Sequence, residues 1–319
     1  MLHLVYFAPE NLSDPVVLTQ AGAAALVSVL RSLLQNCLLL DFTDYRFDQR
    51  IVEEARNLPH DVRKIVKTLL TQLAKANRII RAIEDDYRGG GDIEALAAQA
   101  ERLGLELVII RQEDDWDAAA TRVARASVVE YSMSHFETRR SQDMADRHLN
   151  DGEMSGQQFI DLFLVPFMRY AERLDVVDGS LGENYRDDYA HTLDRLLAAV
   201  RRVCHWRDRV QVTIHCCRGR GKKPDNVSDT VTELARKYGL DGRVSVKFYG
   251  EPGRPFRFKH DRCLVSEMGV LNIGRGFDFV QKKGGALRNT VIGFGGPDVD
   301  TILAPFARSE NPLAGPAST

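Results

Sequence analysis

The sequence predicts an α/β protein made of two α/β domains in tandem. Three observations predict it. A chain of 319 residues is long for one core and natural for two. Short apolar runs alternate with helix-length amphipathic segments, the pattern of a largely parallel sheet covered by helices. A polar, charged and weakly periodic stretch from Ser141 to Ser155 interrupts that alternation near the middle. The boundaries that follow are a first domain over 1–145, a second over 156–310, and a disordered tail over 311–319.

In the first domain, Leu2–Phe7 reads as a strand, Ala21–Leu34 as a buried helix and Cys37–Phe42 as a second strand. Helical periodicity covers Asp48–Arg56 and Pro59–Ile83. Gly89-Gly90-Gly91 breaks the chain. Asp92 is placed to cap a helix that Gly104 ends, and Leu105–Ile110 is the third strand. A helix over Ala118–Ala126 leads to a strand at Ser127–Tyr131. In the second domain, Gln157–Arg173 carries an aromatic stripe at helical spacing, as a core or seam helix would. Strands follow at Leu174–Val177, Val210–Cys216 and Val244–Tyr249. They are separated by helices over Tyr189–Cys204 and Ser228–Tyr238, the latter stopped by Gly239. Arg262–Ser266 and Gly269–Ile273 read as a hairpin, and Arg288–Ile292 as a closing strand.

The formal net charge of −2 conceals an asymmetry. The stretch from Arg195 to Thr290 holds 21 Lys and Arg against 9 Asp and Glu. A basic segment in an acidic chain points to an anionic ligand, or to attraction between parts of the protein. The five cysteines are odd in number and lack Cys-x-x-Cys spacing, which argues against a disulfide framework or a zinc ribbon. No basic n-region opens the chain, and Ala21–Leu34 is too short and too interrupted to span a bilayer. The expectation is a cytoplasmic protein with no transmembrane segment, any membrane contact being peripheral. No phosphate loop, dinucleotide fingerprint or zinc signature appears, so no cofactor and no metal ligand set are expected.

The chemistry concentrates in Phe258-Lys259-His260-Asp261-Arg262 and in Gly269-Val270-Leu271-Asn272-Ile273-Gly274-Arg275-Gly276-Phe277-Asp278. Gly274 and Gly276 would let backbone approach an anion, with Arg275 as counter-ion. Lys259 and Arg262 add positive charge nearby, and Asp261 or Asp278 would orient the arginines. His260 is a nucleophile or a hydrogen-bond donor to phosphate. A buried ion-pair network that fixes the hairpin accounts for the same residues. A second basic cluster, Arg220, Lys222 and Lys223, follows a strand at the end where α/β sheets place ligands. His215 precedes it and reads as a core histidine.

The spacing His260-x-Arg262-x4-Glu267, then Asn272, resembles phospholipase D, whose motif has Lys and Asp where this chain has Arg262 and Glu267. Arginine offers a fork where lysine offers a point charge. The His-Asp-Arg segment, the short hairpin and Ile-Gly-Arg-Gly-Phe-Asp together resemble, more closely, the C-terminal phospholipase D-like domain of MIT-domain-containing proteins. Asp178 stands where that family's opening strand ends. The resemblance covers about Leu174 to Arg308. It implies a phospholipase D-like fold, and His260, Arg262, Glu267 and Asn272 as the catalytic set if turnover occurs. It also implies an acidic phospholipid as ligand; the residues themselves leave nucleic-acid phosphate and lipid headgroup open, with Asp178, Asp261 and Asp278 as structural or orienting groups. Because the phospholipase D reaction uses two histidines, turnover would call for a homodimer. The first domain does not resemble a three-helix MIT domain.

Acids cluster after the first domain's strands: Asp41 and Asp44, then Glu113, Asp114 and Asp115, then Glu130. A metal-dependent nuclease would hold Mg²⁺ with such carboxylates; loop acids and helix caps are the alternative. The leading expectation is a phosphate-binding phospholipase D-like protein, placed by analogy among bacterial conflict or phage-defence components. An active phosphodiesterase or nuclease is the rival.

Overall fold

The computed structural model describes residues 2–41, 47–81, 93–114, 116, 122–143, 145–183, 187–206, 208–217, 225–250, 262–295, 299–307 and 313–314. The chain is α/β and divides into two units, Leu2–Met144 and Ala145–Thr319.

The first unit carries strands β1 (His3–Phe7), β2 (Cys37–Asp41), β3 (Ile79–Arg81), β4 (Leu107–Ile109) and β5 (Ala124–Ala126). They form one parallel sheet in the order β3-β2-β1-β4-β5. Its helices are α1 (Gln20–Asn36), α2 (Phe47–Glu54), α3 (His60–Lys75), α4 (Ile93–Leu103) and α5 (His135–Gln142). Thr19 caps α1 by accepting the Gly22 N–H at 3.1 Å, and Leu26, Val29, Leu30 and Leu33 bury one face of it. Strand order reverses between β1 and β4. There the buried Asn11 amide donates to Ala8 O and Ile109 O, both at 2.8 Å, and ties the two carboxyl ends together.

Two expectations shift here. The helix expected over Pro59–Ile83 stops at Lys75. Asn77 takes φ +51°, and the Arg78 N–H reaches back to Leu73 O at 2.8 Å while the Asn77 N–H reaches Ala74 O at 3.0 Å. This left-handed cap frees β3. Gly104 and Gly239 close their helices with the same pair of bonds. The strand expected at Ser127–Tyr131 lies instead at Ala124–Ala126, residues expected as the end of a helix. Glu130 accepts the Ser127 N–H at 2.9 Å and Ser127 Oγ accepts the Glu130 N–H, so the chain turns where the strand was expected to run.

The second unit carries β6 (Arg147–Leu149), β7 (Arg173–Asp178), β8 (Gln211–Cys217), β9 (Val244–Tyr249), β10 (Arg262–Ser266), β11 (Gly269–Ile273), β12 (Thr290–Phe294) and β13 (Leu313–Ala314). The sheet order is β13-β9-β8-β7-β10-β11-β12-β6. Strands β7, β8 and β9 are parallel; β10, β11, β12 and β6 continue as antiparallel neighbours. Leu313 and Ala314, inside the segment expected as a tail, pair with Phe248 and Lys247 of β9. The boundary stretch also contributes: β6 pairs with β12, and residues 152–156 bond to Gly285 and Leu287.

Its helices are α6 (Gly156–Phe159), α7 (Val165–Met168), α8 (Gly179–Glu183), α9 (Asp187–Val203), α10 (Asp225–Lys237) and α11 (Val299–Ala307). A π-turn at Ile160–Leu164 joins α6 to α7, with the Val165 N–H bonded to Ile160 O, just ahead of Pro166, which has no N–H to give. Phe306 and Val299 of α11 pack on Val177, Cys263, Val265 and Val270. On that face the buried His215 meets Asp175 Oδ1 at 2.8 Å and the Tyr249 hydroxyl at 2.9 Å. All five cysteines are buried free thiols. No described helix is long and apolar enough to cross a membrane.

Candidate functional site

Pairing between β7 and β10 brings the two most informative residues of the second unit together. Arg262, the first residue of β10, lies opposite Asp178, the last of β7. Asp178 is fully buried. Its Oδ1 accepts the Ser180 N–H and its Oδ2 the Phe277 N–H, each at 2.9 Å. Burial pushes its carboxyl up to about 6, although Arg262 and the two amides pull the other way. Arg262 Nε stands 3.9 Å from Asp178 Oδ1. One terminal nitrogen of Arg262 donates to Gly274 O and the other to Ser180 Oγ, both at 3.2 Å. A guanidinium has five N–H donors, so the terminal nitrogens of this one keep donors to spare.

The hairpin delivers a second arginine. Gly274-Arg275-Gly276 leaves β11 and crosses toward the start of β12. The Arg275 N–H donates to Thr290 Oγ1 at 3.3 Å, and Nη1 donates to Asn289 Oδ1 at 2.8 Å. Nε lies 3.5 Å from Asp278 Oδ1. Asn289 is itself held by Asp151, which accepts its N–H at 2.6 Å. Arg262 and Arg275 thus line one open cleft of about 620 Å³ at one end of the sheet. Asp278, Ser180, Tyr189, Thr290 and Gly274 line it with them, and His148 and Asn150 line it from the β6 segment.

The two glycines work differently from the expectation that they cradle an anion. The Gly274 N–H is bonded to Val291 O and the Gly276 N–H to Ile273 O, so neither amide is left for a ligand. Gly276 has φ +100°, and a Cβ there would stand 2.6 Å from Asp178 Oδ2 and 2.7 Å from Arg262 Cδ. Its absent side chain makes room for the aspartate–arginine pair.

Two residues of the expected catalytic set lie elsewhere. Glu267 sits at the opposite end of β10, where its carboxylate accepts the Glu172 N–H at 2.7 Å and the Arg173 N–H at 3.1 Å. It fastens the hairpin turn to the start of β7. Asn272 pairs with Cys263, so strand alternation puts it on the face opposite Arg262, and it does not line the cleft. Lys259, His260 and Asp261 lie outside the described residues, as do Arg220, Lys222 and Lys223.

His148, Asn150, Ser180 and Tyr189 were not singled out from the sequence. His148 and Asn150 fall in a stretch whose composition reads as a boundary, and a three-residue strand has no periodicity to detect. Ser180 is signalled only by following Asp178.

In the first unit the acids are engaged locally. Asp114 pairs with Arg111 through side chain and backbone, Glu113 with Arg111, and Glu130 with Arg125 and the Ser127 N–H. Asp41 is buried at the end of β2; Asp44 and Asp115 lie outside the described residues. Among the described residues no group of three or more His, Cys, Asp or Glu is arranged to hold a metal ion. No protein-family model matches the chain, and no curated protein sequence matches it.

Proposed function

We propose that the second unit is a phospholipase D-like module that recognises the phosphate of a phosphodiester, with Arg262 and Arg275 as its ligands. The observation that carries this reading is two guanidiniums at one cleft, Arg262 bonded to Gly274 O and Ser180 Oγ and Arg275 to Asn289 Oδ1, each with an aspartate within 4 Å and each with terminal N–H groups unspent. Gly274 O, Ser180 Oγ and Asn289 Oδ1 orient the arginines before any ligand arrives, with Asp178 and Asp278 as nearby opposite charges. A pre-oriented fork loses less entropy on binding and matches two phosphate oxygens at once.

The test is titration calorimetry of the full chain with a short phosphodiester. Arg275→Gln is expected to weaken binding at least about tenfold, the loss of one charge-assisted contact. Equal affinity in Arg275→Gln and the parent protein would sink the proposal.

The rival reading, turnover with His260 as nucleophile, draws its support from sequence adjacency: Arg262, two residues on, lines the cleft. It requires hydrolysis of an activated phosphodiester that His260→Ala abolishes and, for a two-histidine reaction, a dimer in solution.

A further inference from the structure

We infer that the cleft takes one nucleotide step of a single-stranded nucleic acid, with the phosphodiester on Arg262 and Arg275 and the base against His148. The inference rests on the phosphate reading above and adds the class of ligand and the residue that selects it.

Charge makes the first selection. Two arginines in the cleft face two aspartates, Asp178 buried beneath Arg262 and Asp278 beside Arg275. The formal charges of these four groups sum to zero, so a singly charged phosphodiester leaves less charge uncompensated than a dianionic phosphomonoester or a polyphosphate would.

Size and lining make the second. About 620 Å³ is far more than a phosphate group fills and falls in the range of sites for whole organic ligands. The extra wall comes from the edge strand β6, whose place is fixed by pairing with β12 and by the Arg147 guanidinium lying 5.6 Å from the Phe163 ring centroid. On this strand Leu149 is buried and His148 is exposed along the cleft, with Asn150 following. An imidazole and an amide beside a phosphate-binding arginine pair are the groups that stack on a splayed-out base and bond its edge.

A bilayer is disfavoured by what the cleft lacks. Among the described residues of the second unit, Leu162 is the one large apolar side chain left exposed, and it does not line the cleft. Peripheral membrane attachment through an apolar face would need such side chains at the cleft.

The experiment measures fluorescence anisotropy of the full chain with a labelled, mixed-sequence oligonucleotide of about twelve nucleotides, as DNA and as RNA. Parallel arms use an abasic strand of equal length, pyrophosphate as competitor, and vesicles containing phosphatidylserine. His148→Ala is expected to weaken oligonucleotide binding about 5- to 50-fold, the loss of one base stack, and to bring it to the abasic affinity. His148→Phe should restore it, which a purely structural role for the imidazole would not allow. Arg275→Gln should weaken intact and abasic strands alike. The inference is overturned if His148→Ala binds like the parent, if the abasic strand binds as well as the intact one, or if vesicles bind and oligonucleotides do not. If those failures come with a persisting Arg275→Gln defect, the phosphate reading survives without the base contact. No effect of Arg275→Gln on any probe overturns both.

Discussion

At the scale of single residues, Asp178 and Gly276 set the cleft. Gly276→Ala would force a left-handed φ on a residue with a Cβ and drive that Cβ into Asp178 and Arg262. Strain of this kind costs roughly 1–3 kcal/mol. The expected result is a lower urea midpoint at unchanged m-value, together with weaker phosphodiester binding. Asp178 makes the cleft respond to pH. Its folded value of about 6 lies above the ordinary 3.8. Its contribution to stability is therefore fully present below about 3.8 and is lost as pH rises through about 6. Ligand affinity follows the same direction. Protonation removes the negative charge next to Arg262, so a phosphodiester should bind more tightly as pH falls from about 7 to about 5. Measured by calorimetry in a His148→Ala background, the trend should flatten in Asp178→Asn. A steep trend that survives Asp178→Asn would assign the effect to another group.

At the scale of elements, the hairpin β10–β11 joins two separate tasks. One end presents Arg262 and Arg275 to the cleft. The other end is tied down by Glu267, whose carboxyl is pushed up by burial and drawn back by the amides it accepts. Glu267→Gln keeps one of its two acceptor oxygens and loses the charge. Stability should drop by about 1–2 kcal/mol in chemical denaturation, with phosphodiester affinity unchanged. Loss of affinity at full stability would instead return Glu267 to the site.

The hairpin was legible in the sequence, because Glu267-Met268 separates two apolar runs and Gly269 follows. The helix stops at Gly104 and Gly239 were legible for a similar reason: a residue without a Cβ marks the left-handed cap. Asn77 does the same work before β3, yet a lone Asn in an amphipathic run carries less signal, and the periodicity predicts a helix that runs straight through it. Strand β6 left no trace, because three residues of an edge strand bury one side chain, Leu149, and expose the rest. The cleft's His148 and Asn150 therefore depend on a pairing that only the fold reveals. The pairing of Arg262 with Asp178 likewise spans 84 positions, and no local pattern encodes it.

At the scale of the molecule, the charge asymmetry changes meaning once the units are known. The second unit as a whole holds 26 Lys and Arg against 23 Asp and Glu, and the first 17 against 22. The basic stretch from Arg195 onward meets acids that precede it in the same unit. Arg202 pairs with Asp161, Arg209 with Glu172, Lys237 with Asp194, Lys282 with Asp187 and Arg288 with Asp188. The positive run in sequence is therefore no measure of a positive surface, and recognition rests on the particular arginines of the cleft. The first unit has its own buried pair: Arg140 is held by Glu137 at 2.6 Å and by Asn36 Oδ1 at 2.6 Å, which docks α5 on α1. Arg140→Leu strands Glu137. The cost should be about 2–3 kcal/mol, less than for a fully buried pair because the Glu137 side chain retains 21 % exposure. Circular dichroism on heating should show that loss while phosphodiester affinity at the Arg262 cleft stays unchanged.

The burial of every cysteine has a practical consequence. Desolvation pushes the Cys37 and Cys263 thiols up to about 12 and Cys204 up to about 11, away from the thiolate form that alkylating reagents attack. The folded protein should be silent to maleimides at neutral pH without removal of any native cysteine. A cysteine introduced at the exposed Leu162 would then be a single chemical handle. A dye there would report ligand capture at the cleft from a position that does not line it, on a protein otherwise unchanged.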